Sequence, residues 1–320
     1  MSAPVCLVVN PAAGGGRAGR RAPDAERALR ERGLEVRRVD TRDLGHAREL
    51  AVEAAGRGET VVALSGDGMI GVLADELRRL PGSVLGIIPG GRGNDLARVL
   101  GIPDDVDGAA AVVAAGHARP VDLGLVDGAD GAEPADGSGP GGAGQAFVGI
   151  ASAGFDSDAN RIANEAPAWL GGLVYVYGAL GALLSWRPAR FEIELDPPGE
   201  RRAFTAFSVG AANSKTYGGG MRAAPDALLD DGLLEVVVLE SIGKLRFLTR
   251  ILPKVFKGTH VREPGVHVFR AREIALSSDR PFTMYADGDP IGELPVRVRA
   301  LAGAVTMLTP AQAGPAFSGS

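Results

Sequence analysis

Three short apolar runs stand out early in the chain: residues 5–9 (VCLVV), 61–64 (VVAL) and 85–88 (LGII). Runs of this length without polar alternation read as strands buried on both faces, the pattern of a parallel sheet. Residues 34–39 supply a further, more polar strand. Between these runs the spacing turns helical. Helices are predicted over 23–32, ending at Gly33 as a left-handed C-cap, and over 46–55. Another follows Ile70, Leu73, Ala74, Leu77 and Leu80, and one more begins near Asp95. The strand–helix alternation persists to about Gly116. It predicts a three-layer, Rossmann-like α/β domain with a parallel sheet over residues 1–121.

From residue 121 the texture changes. Short alternating strands are predicted over 147–155, 190–196, 203–212, 233–239, 266–269, 273–277, 282–287 and 294–300, and helices become scarce. That count and spacing predict an all-β sandwich as a second domain, residues 122–301. A last strand near 304–308 either completes the first domain's sheet or packs at the junction, and 302–320 ends in a flexible tail. Residues 127–145 have hardly any apolar side chains beyond alanine and read as a disordered, passive insert. Residues 170–186 are apolar, with Tyr175, Tyr177 and Trp186, and read as a helix packed across the second domain rather than a membrane span.

Composition narrows the classes. The 320 residues carry a net charge of -5, which argues against a general nucleic-acid binder. The single cysteine, Cys6, lies inside the first apolar run and reads as a small core residue. The N-terminus lacks the basic n-region of a secretion signal, and no apolar run reaches the ~18–20 residues a span needs. A soluble or peripheral protein is expected.

Candidate chemistry concentrates in two turns. Residues 61–64 empty into Ser65-Gly66-Asp67-Gly68, and 85–88 empty into Pro89-Gly90-Gly91-Arg92-Gly93-Asn94-Asp95. In an open α/β sheet, ligands bind at the carboxyl ends of strands, where glycines admit phosphate to backbone N–H groups at a helix start. Asp67 suits the organisation of magnesium, or it caps the helix that follows; Asn94 and Asp95 stand in the same double position.

GDG followed by IPGGRGNDLAR resembles the catalytic domain of the diacylglycerol kinase and sphingosine kinase family, whose usual pattern is GGDGT-x-NE and then P-x-G-T-x-ND. Ser65 stands for the first Gly, Met69 for Thr, Ile70-Gly71 for a polar pair and Arg92 for the second Thr. The opening Asn10-Pro11-Ala12-Ala13-Gly14-Gly15-Gly16 matches the family's NP-x-x-G-x-G, without the lysine of a Walker loop or the spacing of a dinucleotide fingerprint. The resemblance implies ATP held by Asn10, Thr41, Ser65, Gly66, Asp67, Gly68, Gly91, Arg92, Asn94 and Asp95, with Mg2+ required. Thr41 can equally cap the helix over 46–55.

Further elements extend the likeness. Residues 225–234 (PDALLDDGLL) match a segment that holds a structural magnesium, with the Asp231 side chain and the carbonyls of Leu228 and Leu233 as implied ligands; by itself this reads as a turn. Tyr285-Ala286-Asp287-Gly288-Asp289 stands where the family has D-G-E before proline. Asp289 is the implied general base for a lipid hydroxyl and Asp287 its support, though an Asp-Gly hairpin turn fits too. Residues 244–257 set Leu245, Leu248, Ile251, Leu252 and Val255 at helical spacing beside Lys244, Arg246, Arg250, Lys254 and Lys257, with Pro253 as a kink. Such a segment suits an anionic membrane or a solvated face of a core helix. Gly258-Thr259-His260 matches a family element, and His260 reads as structural.

The resemblance therefore implies a cytoplasmic lipid kinase, peripherally associated with membrane, acting on a diacylglycerol-like lipid. A homodimer is one option for its assembly. The alternatives are a NAD kinase, which shares the GDG turn, and a catalytically weak regulatory protein, which Ser65, Met69, Arg92 and Asp289 motivate.

Overall fold

The computed structural model describes residues 4–128, 144–155, 186–312, 314 and 316–318. Most of the expected insert at 127–145 and all but Trp186 of the apolar stretch 170–186 lie outside the described residues. The chain divides into two compact units, residues 1–123, 228–231 and 302–320, and residues 124–227 and 232–301. Residues 228–231, which sequence assigns to the second domain, thus belong with the first.

In the first unit the chain runs β1 (Val5–Val9), α1 (Ala13–Glu31), β2 (Val36–Asp40), α2 (Leu44–Gly56), β3 (Thr60–Ser65), α3 (Asp67–Leu77), β4 (Val84–Pro89), α4 (Asp95–Val99) and α5 (Val106–Ala115). The strands pair in parallel in the order β4-β3-β1-β2. Every residue of β1 and nearly every residue of β3 and β4 is buried, as a sheet covered on both faces requires. Helix α1 pairs with α5, and α2 with α3. Thr306 and Met307, near the chain's end, pair in parallel with Val84 and Leu85, so the last strand completes this sheet.

Helix α1 differs from expectation. It begins ten residues before Pro23, although Gly14, Gly15 and Gly16 at its start have left-handed φ angles of 64°, 68° and 84° and form a loop rather than regular helix. Pro23 then sits inside the helix, where its missing N–H should be costly. Ala18, Ala22, Ala25, Ala28 and Leu29 are all buried along one face, and this packing outweighs the local defect.

In the second unit, β5 (Ala118–Gly128) enters and is followed by β6 (Gln145–Phe147), β7 (Ile150–Gly154), β8 (Ala189–Leu195), β9 (Glu200–Ala212) and β10 (Leu234–Glu240). Then come β11 (Val266–Ala271), β12 (Glu273–Ser278), β13 (Thr283–Ala286), β14 (Asp289–Glu293) and β15 (Val296–Leu308). The first half of the 13-residue β9 pairs with β8, and its second half pairs with β7 and β10. A strand that changes partners along its length turns the corner of a sandwich. Phe191, Ile193, Val209, Leu234, Val236, Ile274, Leu276, Met284 and Val298 fill the core between its layers.

The strand expected at 282–287 is observed as β13, and the Asp-Gly turn after it is a hairpin: Asp287 and Gly288 have φ of 52° and 98°, and the chain folds back into β14 with Ala286 opposite Asp289. An Asp-Gly pair that accepts positive φ at both positions is the favoured two-residue hairpin turn. The strands expected at 294–300 and 304–308 are one continuous strand.

Candidate functional site

Three loops meet at the carboxyl ends of the first unit's strands, and glycine is what lets them meet. A Cβ on Gly14 would fall 2.4 Å from the Gly90 carbonyl oxygen, and one on Gly91 would fall 2.4 Å from the Gly66 Cα. These glycines are required by backbone-to-backbone packing. Gly68 is different: a Cβ there meets nothing within 4 Å, and its φ is not left-handed. Neither packing nor conformation calls for glycine, and its bareness leaves open room at the start of α3, where N–H groups face outward and an anion is favoured. This is the candidate phosphate cradle.

The Asp67 carboxylate spans two of these loops. Its two oxygens accept the N–H groups of Asp95 and Leu96, each at 3.1 Å. It therefore caps α4 rather than α3, whose own N-cap is Gly66. Asn94, in the left-handed region at φ 52°, does not cap α4 either. Its side-chain oxygen accepts Gly91 N–H at 2.8 Å, and its amide donates to Asp104 at 3.0 Å. Asp95 pairs with Arg98 at 2.6 Å. The Asn10 side chain accepts Ala12 N–H, and Asn10 N–H donates to the Leu64 carbonyl, tying the first loop to β3. Ser65 is buried and its carbonyl accepts Gly90 N–H. Thr41 is not a helix cap: its hydroxyl donates to the Asp43 carbonyl, and Asp43 caps α2 by accepting His46 N–H at 2.8 Å. Arg92 is exposed and makes no ion pair or hydrogen bond among the described residues.

Sequence reasoning passed over Arg17, Arg21 and Asp104. Arg17 lies 3.1 Å from the Asp104 carboxylate, and Arg21 donates to the carbonyls of Pro89 and Asp104. The available signal was two arginines one helical turn apart directly after a glycine loop.

The segment around Asp231 is held within the first unit. Leu229 donates to the Ala316 carbonyl and accepts Asp122 N–H, and Asp230 accepts both the N–H and the hydroxyl of Ser318. Asp231 and Leu233 flank Gly232, which is left-handed at φ 68°. Among the described residues, no group of three or more His, Cys, Asp or Glu could hold a metal. A site here must draw on main-chain carbonyls, and one carboxylate with carbonyl oxygens is a donor set that suits a hard cation.

In the second unit, Asp287 is fully engaged. Its carboxylate accepts Val148 N–H and Gly149 N–H at 2.8 Å each and Ile150 N–H at 3.2 Å. From the other side, Asn213 donates to the Val148 carbonyl, and the N–H groups of Asn213 and Ser214 donate to the Gly149 carbonyl. Asp287 therefore acts as a clamp, and Asp289, just past the turn, carries the available carboxylate. Asp289 is solvent-exposed, yet the protein packed around it displaces enough water to push its carboxyl above the usual carboxylate range.

Residues 244–257 form Lys244–Arg246, a π-helical turn Phe247–Ile251 and Leu252–Val255. The π turn precedes Pro253, which cannot donate to a regular ladder. Phe247 and Ile251 enter an aromatic cluster with Phe155, Trp186 and Phe207. Leu245, expected on the apolar face, is instead 75 % exposed, and Phe256 is 51 % exposed. Lys254 is ion-paired with Glu263. Buried His260 hydrogen-bonds the Ala223 backbone, with its pKa lowered by burial, and buried Cys6 has its thiol pushed up to about 11, so neither is poised for chemistry.

Residues 4–126 match the diacylglycerol kinase catalytic domain, and residues 149–309 match the YegS C-terminal NAD kinase beta sandwich-like domain. The chain is 34% identical over 310 residues to a diacylglycerol kinase of Mycobacterium tuberculosis, covering 96% of this chain and 95% of the relative. It is 31% identical over 267 residues to the diacylglycerol kinase of Bacillus subtilis, with 82% of each chain covered. The crystal structure of a diacylglycerol kinase from Bacillus anthracis str. Sterne shares the fold with a TM-score of 0.72 at 23% identity, covering 96% and 97% of the two chains.

Proposed function

Because the chain belongs to the diacylglycerol kinase family, we propose that it is a lipid kinase that transfers the γ-phosphoryl group of ATP to the hydroxyl of a diacylglycerol-like lipid. The observation that carries this reading is the bare Gly68 at the head of α3, room for phosphate that neither packing nor conformation explains. The first unit supplies the nucleotide site through Asn10, Thr41, Ser65, Gly66, Gly68, Gly91 and Arg92. Asp67, Asn94 and Asp95 hold the two glycine turns in register. The second unit supplies the base. Asp289 takes the proton from the lipid hydroxyl as its oxygen bonds to the γ-phosphorus, and the bond to the β–γ bridging oxygen breaks to release ADP. Asp287 fixes the turn from which Asp289 projects.

Asp231, with the carbonyls of Leu228 and Leu233, would hold a structural magnesium, and Asp67, the nearest carboxylate to the phosphate cradle along the chain, would organise magnesium at the phosphates. The chemistry a bound magnesium ion supplies is neutralisation of charge on the phosphate oxygens. We place the protein at the cytoplasmic face of an anionic membrane, as a monomer or homodimer, through exposed Leu245 and Phe256 with Arg246 and Arg250 beside them. No helix among the described residues is long and apolar enough to cross a membrane. Lys254, paired with Glu263, contributes little to this surface.

Radiolabelled ATP offered with diacylglycerol, other lipid alcohols and NAD tests the reading. Label in a lipid supports it, label in NAD favours the related NAD kinases, and ATP binding without transfer to any acceptor favours a regulatory role. Arg246→Glu with Arg250→Glu should weaken binding to anionic vesicles by about 1 kcal/mol per residue while leaving ATP affinity intact.

A further inference from the structure

Sequence predicts a flexible tail beyond the last strand, but in the structure Ala316 and Phe317 are buried, at 0% and 2% exposure. The Arg119 guanidinium covers the Phe317 ring, 5.4 Å from its centroid, and Arg119 also donates to the Ala311 carbonyl. A buried aromatic ring with a cation over its face anchors the segment to the first unit.

The segment is held against residues 228–231, which include Leu228 and Asp231, two of the magnesium ligands proposed above. Leu229 N–H donates to the Ala316 carbonyl at 2.8 Å, and the Leu229 carbonyl accepts Asp122 N–H at 2.7 Å. Asp122 is itself buried, and its carboxylate accepts Gly303 N–H at 2.6 Å. Ser318 occupies both oxygens of the Asp230 carboxylate, donating its N–H to one at 2.7 Å and its hydroxyl to the other at 2.8 Å.

These bonds bear on a cation through peptide geometry. The Leu228 carbonyl and the Leu229 N–H belong to one planar trans peptide, so they point in opposite directions. Fixing the N–H on Ala316 therefore fixes the direction of the Leu228 carbonyl oxygen. A main-chain ligand is not aimed by its own side chain; its aim comes from what the rest of its peptide plane is bonded to. Groups that orient ligands in this way commonly decide metal affinity nearly as much as the ligands do.

We propose that residues 316–318 are a latch that aims the Leu228 carbonyl and holds the turn at Asp230 and Asp231, so that docking of this segment and cation binding favour one another. Phe317 and Ser318 are positioning residues, acting through Leu229 and Asp230. By linkage, a cation that prefers the docked loop in turn holds 316–318 in place. The proposal rests on the magnesium reading of Asp231 and Leu228, and its test separates the two.

The experiment titrates the full chain, without nucleotide, with Mn2+, which shares magnesium's preference for oxygen, and follows loss of the free ion's electron paramagnetic resonance signal. Asp231→Asn marks the site and should bind at least about ten-fold more weakly. Ser318→Pro removes the N–H and the hydroxyl together, and Phe317→Ala removes the anchor; each should weaken binding about ten-fold. Ser318→Thr keeps both donors and should bind as wild type does. Ser318 is exposed, so Ser318→Pro spares the core even if Phe317→Ala fails to fold, and an unchanged urea midpoint checks this. In hydrogen exchange read by mass spectrometry, Mg2+ should slow exchange at residues 316–318 in wild type but not in Asp231→Asn. Wild-type Mn2+ affinity in Ser318→Pro with Asp231→Asn impaired, or exchange at 316–318 that ignores Mg2+, overturns the latch and leaves the magnesium reading standing. Wild-type affinity in Asp231→Asn overturns both.

Discussion

Asp67-Gly68 and Asp287-Gly288 look alike in sequence and differ in how the fold uses them. Both aspartates accept backbone N–H groups from a distant segment: Asp67 from residues 28 and 29 positions away, Asp287 from residues 137 to 139 positions away. Asp67 opens a helix with ordinary backbone, and the glycine after it leaves open space. Asp287 is left-handed at φ 52°, and the glycine after it completes a hairpin turn. In the function we propose, the first pair offers its glycine to a ligand, whereas the second offers the residue beyond the glycine, Asp289. An Asp-Gly pair in a kinase-like pattern does not by itself place the chemistry on the aspartate.

The largest effect should fall on Asp289. Asp289→Asn keeps the shape and removes the basicity, so the chemical step should slow by ~10²–10⁴-fold in a single-turnover assay with ATP affinity retained. Asp289→Glu extends the reach by one carbon–carbon bond and should retain or raise activity. Because burial raises the Asp289 carboxyl, the ionised base is lost as pH falls through that raised value. The rate should therefore drop on the acid side, at a pH above the ordinary carboxylate range, and the Asn variant should lack this limb. If Asn turns over like wild type, the base lies elsewhere.

Next come the two clamps. Asp67→Ala should cost ~10²-fold in turnover, because it leaves the Asp95 and Leu96 N–H groups without their acceptor and removes the carboxylate proposed to organise magnesium at the phosphates. Asp287→Ala leaves three N–H groups without their acceptor and should lower stability by about 2 kcal/mol in urea denaturation. Unchanged stability together with abolished turnover in Asp287→Ala would give Asp287 a chemical role and erase the contrast with Asp289.

The smallest change in stability should come from Gly68→Ala. Its Cβ enters open space at a helical position, so stability should hold or rise by up to about 1 kcal/mol. The KM for ATP should nevertheless increase. Unaltered ATP affinity would show that the space beside Gly68 takes no phosphate.

Local pattern made much of the architecture legible. Uninterrupted apolar runs followed by helical spacing announced β1, β3 and β4, since a strand buried on both faces has no polar positions to alternate. Alternating runs announced the second unit's strands for the complementary reason. Proline and glycine chemistry could also be read, but not which element it served: Pro23 was expected to begin a helix and lies within one.

What sequence alone determined was therefore the alternation of elements, the change from helical to strand texture near residue 121, and the glycine-rich turns after β3 and β4. These follow from backbone sterics and burial, which act over a few neighbouring residues and leave a periodic trace. Tertiary structure decided which partners each carboxylate meets. Asp67 reaches α4, Asp287 reaches the turn before β7, Asp104 meets Arg17 across 87 residues, and the second half of β9 exchanges β8 for β7 and β10. A hydrogen bond between residues far apart in the chain imposes no period on either segment, so an aspartate that clamps a distant loop and one that is left unclamped are spelled the same way until the fold brings their partners to them.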